Sequence, residues 1–324
     1  MNESKQLIED ISATYDTLPY VSHAYSQTHP DFLRAVASLF GFQATPMAQA
    51  RILEIGCAFG GNILPLALYH PSAQITGIDL SAKQVATGQA LIERLQLDDI
   101  RLHQQDISSY EPEAGGFDYI ICHGVYSWAP PAVQAAIMRV IERGLSPNGL
   151  AIVSYNTYPG WKIKEIYRDV MNFRSQEQTN VLDKIRYGFG MLDFLQQHLP
   201  PQSIWQQALD LHYPHIRQAS PSYLAHEYFE LVNQPCYFHD FMQQAQAHGL
   251  AFLAEADFQA SFVPPVDAAA QTLLEQESGG DEIKLQQFYD FLNNRAFRQS
   301  ILCRQAQRAH LPNHRHGVDH DILA

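Results

Sequence analysis

The run ILEIGCAFGGN, residues 52–62, decides the fold. A short apolar run, RILEIG (51–56), ends at a glycine and passes into a turn carrying Gly56, Gly60 and Gly61. Glycines there let the backbone turn sharply and approach a ligand closely. Glu54 stands two places before the first of them. Four more apolar runs follow: AQITGIDL (73–80), IRLHQQD (100–106), FDYIICHG (117–124) and GLAIVSYN (149–156). Between them the spacing predicts helices over 62–69, 81–95 and 131–144. Short apolar runs alternating with helices mean βαβ units and a parallel sheet covered on both faces, an α/β fold. Ligands in such sheets bind beyond the carboxyl ends of the strands, where the strand order reverses. The residues that follow each run are therefore the ones to weigh.

Asp79 ends the second run and falls beside the first loop, where a carboxylate can accept hydrogen bonds from both hydroxyls of a ribose. Nicotinamide and adenosyl-methionine sites share that feature, and Gly56-x-Ala58-x-x-Gly61 approximates the dinucleotide fingerprint. Asp106 discriminates better: in QQDIS it can accept from an adenine exocyclic amine, with Ile107 packing on the ring. The turn LSPNG (145–149), with Pro147 and Gly149, then leads into the fifth run.

Glu54, the glycine turn, Asp79, Asp106 and the LSPNG turn, arriving in that order, resemble class I S-adenosylmethionine-dependent methyltransferases. PYVSHAYSQTHPDFL, GIDLSAKQVATGQALI, FDYIICHGVYSWAPP, VSYNTYPGW, YLAHEYFELVNQPCYFHDF and FLNNRAFRQSILC resemble one group of these, which carries a methyltransferase regulatory domain and includes bacterial protein-lysine methyltransferases. The likeness runs from about Tyr15 to Cys303, and the lysine methyltransferases of that group extend well beyond residue 324. Ala58 and Phe59 stand where many class I enzymes have Gly and Asp; Ala is small enough to keep the turn. The resemblance implies a Rossmann-like methyltransferase sheet with helices on both faces, a helical insertion after strand five and a short helical C-terminal extension. It implies S-adenosyl-L-methionine as cofactor, held by Glu54, Gly56, Cys57, Ala58, Gly60, Asn62, Asp79, Leu80, Gln84, Asp106, Ile107 and His123.

Methyl transfer from a sulfonium is an in-line displacement that needs positioning, exclusion of water and, for an amine, removal of a proton; it needs no metal. Candidates on the acceptor side are Tyr126, Trp128, His123 and Tyr158, with Tyr155, Asn156 and Trp161 as further polar or aromatic groups. Aromatic faces can hold an ammonium by cation–π attraction. The acceptor expected is an amine such as protein lysine. The alternatives are a small-molecule methyltransferase, a catalytically idle adenosyl-methionine-binding module and a nicotinamide oxidoreductase.

Net charge is −13, from 34 acidic and 21 basic side chains, and HGVYSWAPP lacks the D/N-P-P-Y motif of nucleic-acid amino-methyltransferases. Both features argue against a nucleic-acid partner. No signal peptide, membrane span or CxxC pair is read, so a bacterial cytoplasmic setting is expected. The expected organisation is an arm or cover over 1–45, a cofactor-binding core over 46–157, a helical cap over 158–235, the last helix and strands of the core over 236–263, and a helical extension with a polar tail over 264–324. QASFV (259–263) is read as a strand and the stretch 284–304 as a helix. His310, His314, His316 and His320 match no standard zinc spacing and read as a solvated tail.

Overall fold

A computed structural model of the chain describes residues 22–257 and 266–311. The sequence expectation for Tyr15, the strand expected at QASFV and the histidines from His314 onward lie outside these residues. The described part divides into two compact units, one within Ser22–Pro159 and Gln234–Ala324, the other within Gly160–Asn233.

The first unit is built on seven strands: β1 (Arg51–Ile55), β2 (Gln74–Asp79), β3 (Ile100–Gln104), β4 (Phe117–Cys122), β5 (Leu145–Asn156), β6 (Leu250–Glu255) and β7 (Phe297–Arg304). Their order is β3-β2-β1-β4-β5-β7-β6. The first five are parallel, and β7 runs antiparallel to both β5 and β6. The order reverses between β1 and β4, which places the switch point beyond Ile55 and Cys122.

Alternation along each strand serves two cores. Ile52, Ile75, Ile121 and Ile152 face one side with α1 (Pro30–Leu39), α2 (Leu64–Tyr69) and α3 (Ala82–Leu95). Leu53, Ile78, Ile120, Ala151 and Val153 face the other. There they meet α4 (Pro131–Gly144), through Ile137, Met138 and Ile141. In the second unit, α5 (Trp161–Ser175), α6 (Val181–His198), α7 (Ile204–Gln218) and α8 (Pro221–Tyr228) close their own core around Tyr167, Met171, Leu192, Leu209 and Tyr213. The chain then returns to the sheet through α9 (Phe238–Ala247), whose Phe238, Phe241 and Met242 join the second core.

Two expectations change. The LSPNG segment is not a free turn before the fifth strand. It belongs to β5 and is absorbed as an irregularity, with Phe117 opposite Leu145 and Tyr119 already opposite Leu150. The stretch 284–304 is not one helix either. After α10 (Ala268–Ser278), α11 (Glu282–Asn293) stops at Asn294, which adopts φ +47, and Phe297–Arg304 becomes β7, followed by the short α12 (Gln305–Arg308). The C-terminal part is thus an interior strand of the sheet, not only a helical extension.

β7 was hidden because Arg298 and Gln299 break its apolar pattern. Arg298 is fully buried as a cation, its guanidinium donating to Asp290 Oδ1 and Oδ2, at 2.8 Å each, and to Glu255 Oε1, at 2.6 Å. It also lies over the Phe238 ring, 3.9 Å from the centroid. Such a residue reads as polar surface until its partners are assembled.

Candidate active site

The loop after β1 is held open by backbone geometry. Gly56 and Gly60 have φ of +72° and +87°, and Ala58 joins them at +51°. A Cβ on Gly56 would lie 2.3 Å from Val125 Cγ2, so the β1 and β4 loops touch at the switch point only because Gly stands there. The left-handed Ala58 costs about 1–2 kcal/mol. That is offset by its amide, which donates to Asp79 Oδ2 at 2.7 Å. Gly56 and Cys57 amides donate to the Ile78 carbonyl at 2.8 and 3.1 Å, tying the loop to β2.

Glu54 is buried beside this loop. Its Oε1 accepts from Asn62 Nδ2 at 2.7 Å, while Oε2 is buried without a hydrogen-bond partner among the described residues. Burial pushes its carboxyl up to about 8, against the pull of the Asn62 hydrogen bond. Asn62 Oδ1 in turn accepts from the Tyr25 amide at 2.9 Å, and its Nδ2 donates to Thr28 Oγ1 at 3.0 Å. The segment before α1 is therefore fastened to the β1 loop.

Asp79 crosslinks two loops, since its second oxygen accepts from the Ser81 amide at 2.9 Å. Gln84 is buried one turn into α3, its Oε1 without a partner among the described residues, while Ser81 Oγ caps that helix by accepting from the Gln84 amide at 3.2 Å. Leu80 is half-buried between them. Asp106 accepts from the Ser108 amide at 2.8 Å, capping a short turn that carries Ile107, which packs against the second core.

After β4, His123 is half-buried and Gly124 exposed. The Gly124 amide donates to Ser154 Oγ at 2.7 Å. The His123 ring lies 4.1 Å from the Tyr25 ring and 6.3 Å, edge on, from Phe297. Burial lowers its pKa to about 4. Tyr126, by contrast, is a core residue: it is sealed against Tyr155 and Phe241, and its hydroxyl donates to Gln244 Oε1 at 2.6 Å. A ring with no open face and a committed hydroxyl cannot bind an acceptor, which corrects its expected role. Tyr155 is likewise closed, stacked on Phe241 and bonded to Ser300. Trp128 and Tyr158 remain half-buried, the latter 5.2 Å from Tyr237. Asn156 is buried, with Nδ2 unpartnered among the described residues. Trp161 begins the helices of the second unit and is buried, its ring under Lys164. Sequence reasoning missed Ser154 and Gln299, because only strand pairing shows that they face the β4 loop.

A family model described as "Methyltransferase domain" matches residues 52–149, and one described as "Predicted methyltransferase regulatory domain" matches residues 220–304. An uncharacterized protein of Rickettsia prowazekii is 37% identical over 238 residues, which cover 72% of this chain and 94% of that protein. The chain belongs to the class I S-adenosylmethionine-dependent methyltransferases that carry a methyltransferase regulatory domain. The solved structure of PKMT2 from Rickettsia typhi in complex with AdoHcy shares 34% identity and a TM-score of 0.80, covering 89% of this chain and 55% of that one. A second uncharacterized Rickettsia prowazekii protein is 36% identical over 293 residues, 89% of this chain and 52% of that protein. The chain thus spans about half the length of these two relatives. The regulatory-domain match includes β6 and β7, so part of it completes the sheet that the methyltransferase-domain match begins. No helix among the described residues is long and apolar enough to cross a membrane.

Proposed function

We propose that this chain transfers a methyl group from S-adenosylmethionine to an amine, with protein lysine as the acceptor. The observation that carries the cofactor reading is the buried Glu54 oxygen that lacks a partner among the described residues, beside a left-handed glycine turn. S-adenosylmethionine brings an α-ammonium, which suits such an acceptor, and a ribose, which suits the Asp79 carboxylate at the end of β2. Gly56, Cys57, Ala58 and Gly60 line the close approach; Leu80, Gln84, Asp106 and Ile107 would border the adenine end, and His123 the end nearer the acceptor.

The cofactor supplies a methyl group on an electrophilic sulfonium. The chain supplies position and exclusion of water. A lysine amine reacts as the free base, so an apolar wall that disfavours its charged form assists the reaction. Trp128 and Tyr158, half-buried beyond β4 and β5, are the aromatic groups proposed for that wall. The lysine assignment is supported by the likeness to the Rickettsia lysine methyltransferase PKMT2 over 89% of this chain. Small-molecule acceptors are the second reading, motivated by trans-aconitate 2-methyltransferase of Methylobacterium nodulans, 28% identical over 144 residues, 44% of this chain and 49% of that protein.

The test is to incubate the protein with methyl-labelled S-adenosylmethionine and bacterial lysate and to map the label by mass spectrometry. Label on protein lysine is expected. Label confined to small molecules replaces the acceptor, and cofactor binding without any transfer makes the chain a binding module.

A further inference from the structure

We propose that Gln299 is a positioning residue for the β4 loop: it fixes the His123 imidazole in one orientation and one tautomer, with the ring proton on Nδ1, so that His123 does not act as a base in methyl transfer. The role in transfer rests on the reading under Proposed function; the tautomer does not.

One rung of the sheet does the work. Ser154 on β5 pairs with Gln299 on β7. From that rung, Ser154 Oγ accepts from the Gly124 amide at 2.7 Å, and Gln299 Nε2 donates to His123 Nε2 at 3.1 Å. Two consecutive loop residues are thus held by two facing strand residues.

Gln299 is itself anchored. Its amide donates to Glu255 Oε2 at 2.9 Å, and its carbonyl accepts from Ala256 at the same distance. The residue before it, Arg298, is locked between Glu255 and Asp290. The His123 ring cannot swing away easily, because Tyr25 lies across it at an interplanar angle of 33° and Phe297 stands against it at 75°.

A donor aimed at Nε2 requires a bare Nε2, so the proton sits on Nδ1. Tyr25, Phe297 and Gln299, which contact the ring among the described residues, are uncharged at neutral pH. Burial alone sets the direction of the ring's pKa, downward. The ring therefore stays neutral across the physiological range, with its one basic nitrogen already occupied.

The consequence for transfer is specific. The acceptor amine arrives uncharged, its lone pair forms the N–C bond as the C–S bond breaks, and sulfur leaves as a neutral thioether. The proton of the resulting methylammonium goes to water and not to His123.

The test is NMR of histidine-15N-labelled protein without cofactor, with His123→Gln to assign the resonance. The expected spectrum has a protonated Nδ1 and a bare Nε2, unchanged from about pH 5.5 to 8. Gln299→Leu should release the preference and give averaged tautomers. Gln299→Glu should move the His123 titration upward by about 1–3 pH units. A protonated Nε2 in the wild type, which needs the Gln299 amide reversed, overturns the proposal. So does a Gln299→Leu variant whose His123 spectrum is unchanged. If either variant fails to fold, the wild-type spectrum still decides the tautomer. Calorimetric titration with AdoHcy runs separately: absence of binding would refute the methyltransferase reading and leave the tautomer result standing.

Discussion

Glu54 and Asp79, the two carboxylates beside the β1 loop, differ in how they are bonded. Glu54 has a folded pKa of about 8, against 4.5 for a free carboxyl. Between those values the folded chain binds more protons than the unfolded one, so stability falls as pH rises through that window. In cofactor-free protein, Glu54→Gln should flatten that loss, seen as a smaller drop in Tm between about pH 5 and 8. A cationic group beside Glu54 favours its ionised form, so AdoHcy affinity should rise toward pH 8 in the wild type and lose that trend in the variant. An identical pH trend in both proteins would remove Glu54 from the site. Asp79 accepts from the Ala58 and Ser81 amides at the end of β2. Asp79→Ala should weaken AdoHcy binding by about 1.5–3 kcal/mol, the scale of hydrogen bonds to a charged group. Unchanged affinity by calorimetry would dismiss the ribose assignment.

At the scale of the element, β7 is the instructive case. Its buried stretch is Ser300–Cys303, and the buried position near its start is Arg298, flanked by exposed Phe297 and half-buried Gln299, so the strand reads neither as a clean apolar run nor as apolar alternation. The cluster of Arg298, Glu255 and Asp290 joins β7, β6 and α11. Arg298→Ala removes the fully buried cation between Glu255 and Asp290, leaving Arg295, 3.1 Å from Asp290 and 4.0 Å from Glu255, as their remaining partner, and should cost about 3–5 kcal/mol in urea unfolding. Wild-type stability would mean that the cluster does not seat the strand. Tyr126 carries the opposite lesson. It follows β4 where acceptor groups are expected, yet a single turn of 3-10 helix, Tyr126–Trp128, rotates it into the core. Sequence order placed it near the site; the turn that aims its ring was not legible.

Across the whole molecule, residues far apart in the chain meet at one end of the sheet. Tyr25 precedes β1 and Gln299 lies in β7, the first and last strands among the described residues, yet both touch His123. The segment before α1 is exposed at His23, Ala24, Ser26 and Gln27 while tied to Asn62 by the Tyr25 amide. Cofactor binding that orders the β1 loop should therefore protect this segment. Limited chymotrypsin digestion with and without AdoHcy should show slower cleavage after Tyr25 in its presence, and equal rates would detach the segment from the site.

The sequence by itself determined the parallel half of the sheet, the glycine turn with Glu54, and the carboxylates after β2 and β3. These rest on local chemistry: apolar period, glycine at positive φ, and acidic residues at strand ends. Only the tertiary structure decided that the chain 297–304 is a strand, that Tyr126 belongs to the core, and that Ser154 and Gln299 hold the β4 loop. Each depends on a partner distant in sequence. A buried cation is indistinguishable from a surface one until its carboxylates are in place, and a side chain's direction beyond a strand is set by the turn and by what packs across from it.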